Sequence, residues 1–271
     1  MAFGTNAFRA PISMASSRKI VAVGSTGPLG RKFVEKLAGQ GDDVLVLARN
    51  AYLASTPYRV SHDYGYIGET LASDPKVNLR YWDGGDLLDV VGDEWVGWQD
   101  SIRGYDVMVN MVGAISNVRE GAINRLVEAI IAMPEKDRPR AVLNVLPAPE
   151  ILLDPGMRRR MESTAESALR LAPYTQVTNL RLGRVLSLDT DAQEATRYKA
   201  MYYGVTEGIS RVPCRPWVHV DDALNAVDQA ISGALGLSGA CEFTVDASAP
   251  ANELTAAGFV FQSPSYPPPS N

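Results

Sequence analysis

The sequence predicts an α/β protein with a doubly wound parallel sheet. Three observations carry that expectation. Short apolar runs alternate with amphipathic stretches along most of the chain. The first run, Lys19–Val23, passes straight into glycines that open a helical pattern. The second, Asp43–Ala48 (DVLVLA), is continuously apolar, as a strand buried on both faces is.

Taken in order, Lys19–Val23 reads as a strand and residues 31–39 as a helix, with Phe33, Val34 and Leu37 at helical spacing. Asp43–Ala48 completes a βαβ unit. Residues 50–75 are polar, contain Tyr and Gly, and have no clear period; they read as a loop with at most one short helix. Residues 77–82 then form a strand, 94–103 a helix and 105–111 (YDVMVNM) a strand. The alternation continues with a helix over 121–133, a strand over 140–146 and a helix over 155–171. Gln176–Leu182 is the sixth strand, helices follow over 189–203 and 221–232, and a last strand lies near 241–245. No solenoid-type repeat is present.

This divides the chain into an extension over 1–18, one domain over 19–250 with an integrated substrate-type region toward its C-terminal end, and a proline-rich tail over 251–271. Residues 1–18 lack Asp and Glu, carry Arg9 and Arg18, and are rich in Ser and Ala, the composition of an organelle transit segment, plastid before mitochondrion. The alternative is an ordinary N-terminus of a cytoplasmic protein.

Composition narrows the function classes. A formal charge of −5 among 271 residues supplies no broad cationic surface, so nucleic-acid binding is not expected. No apolar run reaches the roughly 20 residues that span a bilayer, so membrane association, if any, is peripheral through a partner. Cys214 and Cys241 belong to no CxxC cluster and are expected as buried thiols; with His62 and His219 the only histidines, no metal centre is indicated.

The segment Gly24-Ser25-Thr26-Gly27-Pro28-Leu29-Gly30 places glycines at a GxxGxxG spacing between strand and helix. A turn there needs a residue that tolerates positive φ, the backbone must approach a pyrophosphate without Cβ interference, and the helix must pack closely on the strand. The helix start then offers unpaired amides and a positive dipole end to an anion, and proline is tolerated in its first turn. A dinucleotide is the expected ligand. Arg49, followed by Asn50, stands at the end of the second strand, where an acidic residue selects NAD(H) and a cation pairs with a 2′-phosphate, so NADP(H) is favoured over NAD(H).

VAVGSTGPLGRKFVEKLAGQGDDVLVLARN resembles the opening unit of the extended, atypical branch of the short-chain dehydrogenase/reductase superfamily, in particular its NAD-dependent epimerase-like members. YWDGGD resembles that family's third-strand end, which implies that Asp83 and Gly84 lie near the adenine. VNMVGA resembles the segment after the fourth strand, which implies that Asn110, Met111, Val112 and Gly113 border the cofactor. LRLGRVL and PWVHVDDALNAV resemble later stretches, so the resemblance spans about residues 19–248.

The resemblance also implies a tyrosine acid or base, a lysine four residues on that lowers its pKa, and a hydroxyl residue after the fifth strand. The corresponding stretches read NVLPAPE and DPGMRRRMESTAESALRLA, without them. Ser163 and Thr164 are neutral hydroxyls, which need a strong base beside them to act, and Tyr198 and Lys199 are adjacent and diverge on a helix. Tyr202, Tyr203 and His219 are further candidates, each more simply read as packing or an internal hydrogen bond; Arg158, Arg159 and Arg160 read as a solvated charge run or a contact for an acidic partner. Trp82, Trp95, Trp98 and Trp217 fit a core, with Trp95 and Trp98 the best pair for a partner contact.

The sequence therefore points first to a non-catalytic, cofactor-holding accessory, scaffold or assembly subunit of an organelle complex. Second is an NADPH-dependent reductase or epimerase with a pocket near Leu146, Arg184 and residues 198–203. Third is an organelle RNA-associated factor.

Overall fold

The computed structural model describes residues 17–25, 28–48, 74–82, 98–112, 119–152, 154–186, 216–233, 235, 239–249 and 251–262. They build a seven-stranded sheet, with a separate two-stranded ribbon beside it. The sheet strands are β1 (Lys19–Val23), β2 (Asp43–Ala48), β3 (Val77–Tyr81), β4 (Val107–Asn110), β5 (Ala141–Pro147), β6 (Gln176–Leu182) and β9 (Ala240–Val245). β7 (Arg184–Leu186) and β8 (Trp217–His219) form the ribbon. Helices are α1 (Pro28–Gly39), α2 (Trp98–Ser101), α3 (Arg119–Ala132), α4 (Pro155–Leu169), α5 (Val220–Ser232) and α6 (Glu253–Ala256).

Every sheet pairing is parallel and the spatial order is β3-β2-β1-β4-β5-β6-β9. The order reverses between β1 and β4, the crevice where doubly wound sheets hold ligands at their strand ends. The expected fold class is the one observed. Strands β1, β2 and β6 have the predicted bounds, because continuous burial of Ile20–Val23 and Val44–Ala48 is what an apolar run encodes.

Alternate residues of each strand feed two apolar layers. Ile20, Ala22, Val44, Val46, Val107, Val109, Leu143 and Val145 pack with Phe33, Val34 and Leu37 of α1 and with Ala223, Val227 and Ile231 of α5. Val21, Val23, Leu45, Leu47, Met108 and Val142 pack with Ile123, Leu126 and Ile130 of α3 and with Ala168 of α4. A polar seam ties α1 to α5. Arg18 is held by Asp42 and, at 3.0 Å, by Asp228; Gln40 Nε2 donates to Asp228 at 3.2 Å, and the Lys36 ammonium to Asn225. Burial works against the Arg18 charge, yet its two carboxylate partners raise its pKa on balance.

Three sequence expectations need correction. The core continues past residue 250: Leu254, Phe259 and Phe261 are buried with the α1/α5 layer, and the Gln262 amide donates to the buried Asp222 carboxylate at 2.8 Å, so residues 251–262 belong to the fold instead of a tail. The β7–β8 ribbon was missed because its strands have three residues each, too few to show a period. Cys241 is half-buried on the edge strand β9, where a fully buried thiol was expected. Cys214, His62 and the predicted helix over 189–203 lie outside the described residues.

Candidate functional site

The site grows from the way β1 ends. Val23 stands in register with Asn110 of β4, and the Met111 amide donates to the Val23 carbonyl at 2.8 Å, which holds the two strand ends side by side. The chain then turns at Gly24 with φ +70°, a left-handed conformation that a Cβ disfavours. A Cβ at Gly24 would stand 2.5 Å from Val112 Cα and 2.6 Å from Val112 N. Backbone on backbone is a contact that no rotamer change relieves.

Gly30 makes the second close approach. A Cβ there would lie 2.3 Å from Ser25 Cα and 2.6 Å from the Ser25 carbonyl carbon and oxygen. The first turn of α1 is thereby laid directly on the turn that follows β1. In that first turn the amides of Leu29 and Gly30 have no carbonyl one turn back within the helix, which is the general condition for anion binding at a helix start.

The side chains in this segment do less than its backbone. Ser25 is fully buried and its hydroxyl turns inward to donate to the Ala22 carbonyl at 3.4 Å. Leu29 is buried in the α1/α5 layer. What either residue offers a ligand is its backbone. Met111 and Val112 are likewise buried, Val112 forming the wall behind Gly24. Pro28 opens α1 as a first-turn proline. Thr26, Gly27, Arg49, Asn50, Asp83, Gly84 and Gly113 lie outside the described residues. The residues that precede Arg49, Asp83 and Gly113, namely Ala48, Trp82 and Val112, end at the same edge of the sheet as Gly24, and the Trp82 amide donates to the Ala48 carbonyl at 2.9 Å.

Behind this edge runs a feature that sequence reading missed. Asn110, Asn144 and Asn179 are in register on β4, β5 and β6, and all three are fully buried. Asn110 Nδ2 donates to Asn144 Oδ1 at 2.9 Å, and Asn144 Nδ2 to Asn179 Oδ1 at 2.9 Å. At one end Asn110 Oδ1 accepts from the Val112 amide at 3.3 Å; at the other Asn179 Nδ2 donates to the Ala165 carbonyl of α4 at 3.2 Å. The available signal was an asparagine inside each of three apolar strands, VMVN, AVLNVLP and QVTNLRL.

The candidate chemical groups fall elsewhere. The α4 sequence PGMRRRMESTAESAL contains neither tyrosine nor lysine. Thr164 is fully buried and its hydroxyl donates to the Arg160 carbonyl one turn back, so it faces its own helix. Leu146 is buried in a small apolar cluster with Leu152, Met161 and Ala165. Arg184 is buried at the start of β7, and residues 198–203 lie outside the described residues. His219 caps α5, its Nδ1 accepting from the Asp221 amide at 3.3 Å, and the Asp221 carboxylate is 3.4 Å from the same nitrogen. Arg158 and Arg159 are exposed, as a solvated run is.

Arg181 of β6 is buried between two half-exposed carboxylates, its Nε 2.8 Å from Glu242 and its Nη2 2.7 Å from Glu162. Burial disfavours its charge, but the two glutamates outweigh that and raise its pKa. Trp98 takes the core place expected of the tryptophans, buried against Trp82 with ring centroids 4.9 Å apart, and not the alternative of a partner contact; Trp95 lies outside the described residues. Among the described residues there is no group of three or more potential metal ligands, and no helix is long and apolar enough to cross a membrane.

These features define a Rossmann-type fold: a parallel sheet with a glycine turn at its switch point and a helix start beside it. Solved structures agree. The chain is similar to a short-chain dehydrogenase/reductase family oxidoreductase from Burkholderia thailandensis, with 21% identity over 90% of this chain and 97% of that one and a TM-score of 0.59. It is also similar to UDP-glucose 4-epimerase from Brucella ovis, solved in complex with NAD, with 13% identity over 85% and 78% of the two chains and a TM-score of 0.58. The UDP-Glc/GlcNAc 4-epimerase of Campylobacter jejuni gives 14% identity over 85% and 78%, again with a TM-score of 0.58. At these identities the likeness establishes the fold. No protein-family model and no curated protein sequence matches the chain.

Proposed function

We propose that this chain is a dinucleotide-binding relative of the short-chain dehydrogenases and epimerases that holds its cofactor without turning it over, as an accessory, scaffold or assembly subunit. The observation that carries the binding half of this reading is the pair of glycine contacts: Gly24 and Gly30 sit where no Cβ fits, on the turn and helix start that would cradle a pyrophosphate. The likeness to an NAD-bound epimerase supports it. In this reading the backbone of the 24–30 turn takes the diphosphate and the β2 and β3 ends the adenosine side. NADP(H) is preferred because Arg49, and no carboxylate, follows β2.

The non-catalytic half rests on α4. In place of a phenol and an ammonium its sheet-facing side carries Met161, Thr164, Ala165 and Ala168, all buried. Such a surface packs; it moves no proton. A bound dinucleotide then acts on the fold by mass action, about 2.7 kcal/mol when the ligand is at 100 times its Kd. The acid-free N-terminal extension favours a plastid location for the complex.

Titration calorimetry with NADPH, NADH and ADP-ribose, which lacks both the nicotinamide ring and the 2′-phosphate, tests the reading. NADPH is expected to bind more tightly than NADH, and Gly24→Ala to abolish binding while the protein stays folded. Absence of binding by every dinucleotide overturns the assignment. Sustained NADPH oxidation with a defined carbonyl substrate, lost in Gly24→Ala, replaces the accessory role with the reductase reading.

A further inference from the structure

The asparagine ladder poses a physical question that packing does not answer. A carboxamide buried between strands is costly unless each polar group is bonded, and an apolar side chain at the same place asks for no partner. Here Asn110, Asn144 and Asn179 form one continuous chain under α4. Its ends fix its direction. The Val112 amide can only donate and the Ala165 carbonyl can only accept, so one orientation of all three carboxamides satisfies the chain. Reversing one requires reversing the rest.

That polarity joins two distant parts of the fold. At the α4 end, Asn144 Nδ2 also reaches the Thr164 carbonyl at 3.5 Å, so two successive carbonyls of the helix are engaged. At the other end the bonded group is the Val112 amide, whose nitrogen and Cα are the atoms against which Gly24 is pressed. A change in where α4 sits is therefore passed to the wall of the glycine turn.

We propose that Asn144 is a positioning residue: through Asn110 it sets the Met111–Val112 backbone against Gly24, and so sets dinucleotide affinity. The proposal rests on the dinucleotide reading above and adds to it a residue two strands away from the turn. On β6, two residues beyond Asn179, Arg181 is paired with Glu162 of α4 and Glu242 of β9.

The test is Asn144→Asp in the full chain, followed by NADPH titration and urea unfolding from pH 5 to 8. An ionised aspartate still accepts from Asn110 but cannot donate to Asn179; a protonated one does both, and burial raises the pKa of such a carboxyl. The expected result is a Kd for NADPH weakened on the order of tenfold at pH 8, the worth of about one net hydrogen bond, and recovered toward the wild-type value as the pH falls. Wild type, measured alongside, lacks this pH-dependent recovery. A ladder that serves stability alone predicts a lower urea midpoint with the same Kd as wild type at every pH, and that result overturns the proposal. Should Asn144→Asp not fold, Asn179→Ala leaves Asn144 a partner in the Thr164 carbonyl and is read the same way: weaker NADPH binding by folded protein supports the proposal, unchanged binding overturns it. Wild-type protein that binds no dinucleotide overturns both this and the parent reading, whereas wild-type binding with an unaltered variant Kd overturns only this one.

Discussion

Replacing Gly30 with alanine isolates the physical basis of the glycine turn. Alanine is the better helix former by about 1 kcal/mol, so on propensity alone the substitution stabilises α1. The packing says the reverse. The new Cβ lies 2.3 Å from Ser25 Cα, whereas ordinary contact begins at 3.4 Å, so α1 must retreat by about 1.1 Å, the difference of the two. The opposing atoms are backbone and cannot rotate away. Phe33 and Leu37, one and two turns further along the same helix, are fully buried, and a retreat opens gaps around both. Overpacking of this kind costs about 1–3 kcal/mol, which exceeds the propensity gain over most of that range. Gly39 is the internal control: it ends the same helix with nothing within 4 Å of where a methyl would stand and no positive φ, so Gly39→Ala is expected to stabilise by about 0.4–1 kcal/mol. Urea unfolding of ligand-free protein reads both, with unchanged m-values required. If Gly30→Ala proves as stable as Gly39→Ala, the helix is not seated on Ser25 and the cradle geometry is wrong.

Three further outcomes follow from the same structure. Asp222→Ala deprives the Gln262 amide of its buried acceptor and is expected to cost about 1–3 kcal/mol, with residues 251–262 becoming the first site of limited proteolysis; protection equal to wild type contradicts their place in the core. Arg181→Met removes a buried charge whose partners Glu162 and Glu242 are 43% and 48% exposed and can rehydrate, so the change in stability is expected to stay within about 1 kcal/mol, and a much larger loss means that the bridge anchors α4 to β9. Burial, with a smaller contribution from Asp43, pushes the Tyr105 phenol above its usual pKa, so the folded state holds that proton more tightly than the unfolded one. The resulting stabilisation is complete below about pH 10 and is lost as the pH rises through the folded value, so Tyr105→Phe should flatten the alkaline limb of the thermal-stability profile.

The amino-acid sequence alone determined the layered α/β class, the order of the strands along the chain and the position of the glycine turn. Each is written locally: DVLVLA is buried on both faces because a parallel strand under two helices leaves no polar face, and GSTGPLG lies between a strand and a helix because only glycine passes that corner. Tertiary structure decided what each polar residue inside those elements does. Asn110, Asn144 and Asn179 stand 34 and 35 residues apart and become neighbours only when β4, β5 and β6 pair in register. That the Ser25 hydroxyl turns inward to Ala22 and leaves only its backbone to the turn was set by Gly30 coming to rest on it. Phe259 and Phe261 looked like a tail until Gln262 found Asp222. Burial and hydrogen-bond partnership depend on contacts between residues far apart in the chain, and a local pattern carries no record of them.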